Sequence, residues 1–223
     1  MRVVIENFLL VVLALLPIAN PLSSMAIFIA ITDGLTQKDR ILLARRVAVN
    51  AFLLLAASLF IGNFVLLFFG LSVPIVQVAG GLIVCHLGWG LLHQETSDSN
   101  EETASGEARR ELHADKNKMA KAFYPLTLPL TVGPGTISVA ITLGANHASS
   151  VQSLFTAAPS FVVGAAVVAA SIYLCFRYAY QIMKLLGTTG TQVVFRLFAF
   201  ILLCIGVQII WNGVSSLLGQ LSN

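Results

Sequence analysis

Acidic side chains are absent from every long apolar stretch of this sequence, and charge of either sign is scarce. Asp, Glu, Lys and Arg together make up 10% of the 223 residues, where a soluble domain carries about a quarter. The shortage excludes an ordinary water-soluble fold, and the missing acids exclude a carboxylate proton relay within the apolar stretches. Cysteine is equally sparse. Cys85, Cys175 and Cys204 are odd in number and widely spaced, which excludes a disulfide framework and a zinc site; each reads as a small packing residue. There is no HExxH, no Walker loop and no GxSxG, so neither an enzyme nor a cofactor or metal site is expected. The basic residues lie scattered at the ends of apolar stretches, which gives no nucleic-acid surface.

Apolar residues fill the space that charge leaves. They form 57% of the chain, and the mean hydropathy is +0.87. Six stretches, at about 8–31, 47–69, 73–92, 122–145, 155–176 and 195–218, each reach the roughly 20 residues that a bilayer crossing requires. The sequence thus predicts an all-α membrane protein with six transmembrane helices and the lipid bilayer as its first partner. The opening stretch is too long for a signal-peptide core and lacks a small-x-small site, so it reads as a retained span.

Charge, where present, is one-sided. The segment after span 1 holds Lys38, Arg40, Arg45 and Arg46; the segment after span 3 holds Arg109, Arg110, Lys116, Lys118 and Lys121; the last connection holds Arg177, Lys184 and Arg196. The other two loops, near 70–72 and 146–154, have no Lys or Arg. The positive-inside rule puts the basic side in the cytoplasm and both termini outside. The one long polar stretch, 94–121, carries seven acids, from Glu95 to Asp115. It buries too little apolar surface to fold alone and reads as a flexible cytoplasmic linker. The expected organisation is a three-helix repeat over 1–93, the linker over 94–121, and a second three-helix repeat over 122–223. Because three is odd, the second repeat enters the membrane from the opposite face, giving an inverted repeat.

Two spans are interrupted by proline at matching places. Span 1 contains Leu-Pro-Ile-Ala-Asn-Pro-Leu-Ser-Ser (16–24), and span 4 contains Tyr-Pro-Leu-Thr-Leu-Pro-Leu-Thr-Val-Gly-Pro-Gly-Thr-Ile-Ser (124–138). Proline removes a backbone donor and clashes with the preceding turn, so helices 1 and 4 should break near the midplane. Asn suits an N-cap and Pro the first helical position. Half-helices are therefore predicted to start at Asn20-Pro21, with Ser23 and Ser24 in the first turn, and at Gly133-Pro134, with Gly135 and Thr136 in the first turn. Inverted symmetry points their amino-terminal ends at each other. Free N–H groups and partial positive charge would there cradle a carboxylate, and Gly133 and Gly135 would let it approach the backbone.

Other intramembrane polar groups are few. His86 in span 3 is a candidate for proton coupling, or else bonds a neighbouring helix. Asn50, Asn63, Gln77, Gln208 and Asn212 read as interhelical hydrogen-bonding residues or, as the alternative, as the lining of a cavity. Trp89 and Trp211 suit the membrane interface, and Gly80-Gly81, Gly88 and Gly90 suit close packing.

Together the Asn-Pro break, Gly-Gly-Leu-Ile (80–83), Pro-Leu-Thr-Leu-Pro-Leu-Thr-Val-Gly-Pro-Gly-Thr-Ile (125–137) and Gly-Val-Gln-Ile-Ile-Trp-Asn-Gly (206–213) resemble the MarC family of bacterial inner-membrane proteins over nearly the whole chain. The resemblance implies a six-helix inner-membrane protein, and some members are described as neutral amino acid transporters. Where members commonly show Glu-Arg-Leu-Met-Gly, this chain has Phe195-Arg196-Leu197-Phe198-Ala199. The expected function is secondary transport of a small polar solute such as a neutral amino acid. Two other classes fit the same residues: a non-transporting membrane scaffold or regulator whose acidic linker binds a partner, and, with less support, a drug exporter. A homo-oligomer is compatible with the sequence, which does not specify an oligomeric state.

Overall fold

The computed structural model describes residues 2–32, 34–93, 126–128, 131–145 and 151–221. Among these residues the chain is all-helical. The long elements are α1 (Arg2–Ala19), α2 (Pro21–Thr32), α3 (Gln37–Phe68), α4 (Val73–His93), α5 (Pro134–Ala145), α6 (Val151–Arg177) and α7 (Ala179–Leu221). The expected linker, 94–121, lies outside the described residues.

Local chemistry sets the ends of these helices. The α2–α3 connection is a turn in which Leu35 N donates to Thr32 O at 3.0 Å, with Gly34 at φ 82. The Thr36 side chain then accepts from Asp39 N at 3.2 Å and caps α3. Helix α3 therefore starts at Gln37, well before the apolar window near 47. Hydropathy locates the lipid, whereas the cap locates the helix. At the far end Leu71 N reaches back to Leu66 O at 2.9 Å around Gly70 at φ 67, the bond pattern of a glycine C-cap. In the last element Gly187 is non-helical (φ 66, ψ 179), so a short helical stretch from Ala179 precedes the span proper; the sequence pattern does not predict that stretch.

Four stretches are long and apolar enough to cross a membrane: α3, α4, Ala157–Arg177 of α6 and Gly190–Gly219 of α7. The helices α1 and α2, bent by 50° between them, reach that length and hydropathy only as a pair, and taken as one span they bring the number to five. The expected span 122–145 is described at 126–128 and 131–145, and its helix α5 has 12 residues, short of a bilayer's thickness.

Helix α4 packs along α7; α3 packs on α5 and α6; α6 also carries α1 and α2; α5 lies against α4 and α1; and α2 touches α7. Directions follow from paired residues. Ser160 Oγ donates to Val4 O at 2.9 Å, a methyl group on Gly164 would meet Val11, and Phe176 stacks on Phe28 with centroids 4.4 Å apart. Thus α6 runs parallel to α1 and α2. By contrast Gly213 lies at Pro74, Gly206 at Gly81 and Cys85, and Gly88 at Leu203 and Ala199, so α4 and α7 are antiparallel. In lipid, where burying apolar surface gains little, such small-residue contacts supply the packing energy. Ala199, at the position where the resemblance leads one to expect Gly, is fully buried, and its carbonyl faces Gly88. The interior is filled by Leu15, Met25, Phe28, Leu55, Val84, Leu126, Phe161 and Ile172.

Candidate functional site

The first break forms at the predicted residue. Asn20 takes φ 40, a left-handed value that Asn tolerates better than most side chains. Its N–H still bonds Leu16 O at 3.1 Å, and its carbonyl accepts from Ser24 N at 3.2 Å. Asn20 is therefore the last partner of α1 and the cap of α2. Pro21 follows as the first helical residue, where its missing N–H costs nothing. The backbone donors of Leu22 and Ser23 are left without an intrahelical acceptor. Asn20, Pro21 and Ser24 are buried; the Ser23 side chain is outside the described set.

The second break has the same plan. Val132 N donates to Thr127 O at 2.9 Å and Thr131 N to the same oxygen at 3.2 Å, a widened turn. The Thr131 hydroxyl adds a bond to Thr127 O at 3.2 Å. Gly133 then leaves the helical path, and its carbonyl accepts from Ile137 N at 3.1 Å, so it caps α5. Pro134 occupies the first helical position, and among the described residues the donors of Gly135 and Thr136 have no intrahelical acceptor. Gly133, Gly135 and Thr136 are buried, whereas Pro134 is exposed. Both breaks are thus cap–proline starts of a 12-residue half-helix. Helix α1, which ends at the first, packs against α5, which begins at the second.

Packing changes the reason for one residue. The sequence suggests that Gly135 opens the backbone to a solute. A methyl group there would lie 2.5 Å from Val84 Cγ2 and 3.8 Å from Gly80 O, so that face of Gly135 is already filled by α4. One turn on, the buried Ser138 hydroxyl donates to Val76 O at 2.8 Å, tying α5 to α4. Thr127, Thr131 and Ser138 are not singled out by the sequence. Their hydroxyls lie in the Thr/Ser-rich run around Gly133-Pro134, which is the available signal.

The remaining polar candidates lie elsewhere. His86 is exposed on α4, two residues from Val84 and so on the other side of the helix, and the fold does not bring it to either break. Gln208 and Asn212 do not link helices: Gln208 Nε2 donates to Asn212 Oδ1 at 2.9 Å within α7. Asn50 lines a surface groove of about 360 Å³ with Leu42, Arg45, Arg46 and Val49. Gln77 sits at the α4–α7 contact beside Gly213, and its Oε1 is buried without a hydrogen-bond partner. Trp89 stacks on His93 at 4.0 Å.

A model of the MarC family, described as integral membrane proteins, matches residues 5–218. An inner membrane protein MarC of Salmonella arizonae is 34% identical over 207 residues, covering 90% of both chains. The homonymous protein of Salmonella typhimurium is 33% identical over 208 residues, again at 90% of each chain. That of Escherichia coli O1:K1 is 34% identical over 207 residues with the same coverage. No solved structure matches. A match that runs nearly from end to end, on a chain of long apolar helices, establishes that this protein belongs to the MarC family of integral membrane proteins.

Proposed function

We propose that the chain is a multi-pass inner-membrane transporter of a small polar solute, a neutral amino acid or similar zwitterion. The observation that carries this reading is the pair of cap–proline breaks at Asn20-Pro21 and Gly133-Pro134, whose cap residues Asn20 and Gly133 are buried. Each exposes helix-start N–H groups and a partial positive charge within the membrane. Inside hydrocarbon such groups need a partner, and a carboxylate fits them. Paired broken helices in two halves of a chain are a recurrent transporter arrangement.

An inverted repeat is the architecture that this reading requires, with halves at 1–93 and 122–223 joined by 94–121. Two observations support it. The first is direction. Helix α6 runs parallel to α1 and α2, which requires an odd number of crossings between them. Helices α3 and α4 supply two, and this reading assigns the third to the stretch through Gly133-Pro134, for six spans. The second is pairing. If α2, α3 and α4 correspond to α5, α6 and α7, then α3–α6 and α4–α7 are self-related pairs, α3–α5 corresponds to α6–α2, and α4–α5 to α7–α2. All of these contacts occur. With the basic segments in the cytoplasm, both termini are outside. Transport would proceed by rocking one half against the other about the α3–α6 and α4–α7 contacts.

The test is amino acid uptake into proteoliposomes by the wild type, Asn20→Gly and Thr136→Val. Glycine keeps the φ of 40 while deleting the amide, and valine is nearly isosteric with threonine. Each is expected to lower the uptake rate about tenfold, the scale of one lost hydrogen bond. Unchanged flux in both variants would remove the site.

A further inference from the structure

We propose that the outward face of α7 pairs two copies of this chain through Gln208 and Asn212. The observations are independent of the transport reading. Among the four long spans, Gly190–Gly219 is the least covered, with 17% of its apolar window buried. Its inner side, at Ala199, Gly206 and Gly213, is used against α4. On the other side Cys204, Gln208, Asn212, Ser215 and Gly219 are all exposed. Their spacing of four, four, three and four residues makes one stripe along the helix.

That stripe is polar where lipid would demand apolar groups. Gln208 lies one turn from the middle of the Gly190–Gly219 stretch, about 5 Å from its centre at the helical rise. This is well inside a hydrocarbon core of roughly 30 Å. The two amides satisfy each other once, through Gln208 Nε2 to Asn212 Oδ1 at 2.9 Å. Among the described residues, one Gln208 N–H, the Gln208 carbonyl oxygen and both Asn212 N–H groups have no side-chain partner. Acyl chains offer neither donor nor acceptor, and unpaired amides in hydrocarbon are costly.

A second copy supplies both. An amide is donor and acceptor at once, so the same stripe turned about a two-fold axis along the membrane normal is its own complement. The stripe carries no charge that would select a partner of opposite sign. Ser215 and Gly219 are small enough to let two backbones approach. Cys204, one turn from Gln208 on the stripe, places a native thiol beside the proposed axis.

The test uses the full chain in neutral detergent micelles and in liposomes. Sedimentation equilibrium should give a dimer for the wild type. Gln208→Leu with Asn212→Leu should raise the dimer dissociation constant at least about tenfold, while Val193→Ala, on the same helix, should not. The double variant should keep the wild-type unfolding midpoint, since leucine suits lipid. A short bis-maleimide should cross-link the wild type but not Cys204→Ala. A monomeric wild type, a dimer indifferent to the double substitution, or a dimer without a Cys204 cross-link would each overturn the proposal. So would a monomeric wild type whose flux is abolished by the double substitution, because the amides would then line the solute path.

Discussion

Gly81 and Gly206 meet across the α4–α7 contact so closely that neither can carry a side chain. A methyl group on Gly81 would lie 2.8 Å from the Gly206 carbonyl oxygen, and one on Gly206 would lie 3.0 Å from the Gly81 carbonyl oxygen and 2.7 Å from Cys85 N. These three obstacles are backbone, so the helices must separate to admit the group. Gly206→Val is expected to destabilise by about 1–3 kcal/mol, the cost of overpacking. Gly90 has nothing within 4 Å of a built methyl. There alanine should be neutral or should stabilise by up to about 1 kcal/mol. Thermal unfolding in detergent reads both, and equal midpoints for the two variants would contradict the contact.

Gln77 makes the opposite prediction. Its Oε1 is buried and unpaired, a condition that costs about 1–3 kcal/mol. Gln77→Leu and Gln77→Met should therefore raise the unfolding midpoint, since they remove the orphan and keep the volume. A lower midpoint for both would mean that the amide holds α4 to α7 through its nitrogen.

Asn20 separates backbone from side chain. At φ 40 an alanine pays the left-handed penalty of about 1–2 kcal/mol, and a glycine does not. The unfolding midpoint is expected to fall further for Asn20→Ala than for Asn20→Gly. Equal losses would place the contribution of Asn20 in its amide instead.

The contrast among these residues explains what could be read from the sequence. The breaks at Asn20-Pro21 and Gly133-Pro134 were legible because capping and the missing proline donor are local chemistry, fixed within a turn. The small-residue face at Gly80-Gly81, Gly88 and Gly90 was legible as a pattern, except that Gly90 packs against nothing among the described residues. Its partners Ser138, Gly206 and Ala199 were not, because a tertiary pairing leaves no local mark. The same holds for Gln208 and Asn212. Spacing of four residues allows a bond within the helix as readily as a bond to a neighbour, and only the fold shows that they face outward and bond each other. His86 looked interior because it sits mid-span, yet its side of α4 faces away from Val84 and the second break. Apolar windows cannot reveal rotation about the helix axis when nearly every side is apolar. The upstream start of α3 escaped for another reason: Lys38 to Arg46 lower the hydropathy without weakening the helix.

Arg40 carries a last prediction, at the cytoplasmic end in the proposed topology. Its Nε donates to Thr32 O at 3.3 Å, a carbonyl in the final turn of α2, where the helix dipole favours a cation. Its guanidinium also lies 4.8 Å from the centre of the Tyr180 ring. One side chain at the start of α3 thus holds the end of α2 and the beginning of α7, two elements from opposite halves of the chain. The carbonyl bond needs only an N–H near that oxygen, and lysine can supply one; the stacked contact needs the flat guanidinium. Arg40→Lys should therefore retain part of the stability that Arg40→Ala loses, and Tyr180→Leu should remove what lysine fails to restore. A double-mutant cycle between Arg40→Ala and Tyr180→Leu is expected to give a coupling of about 0.5–1 kcal/mol, the range for an exposed cation over a ring. The carbonyl bond contributes equally with either residue at 180 and so cancels from the cycle. A coupling of zero would therefore assign the whole effect of Arg40 to the end of α2 and leave the two halves untied at this edge.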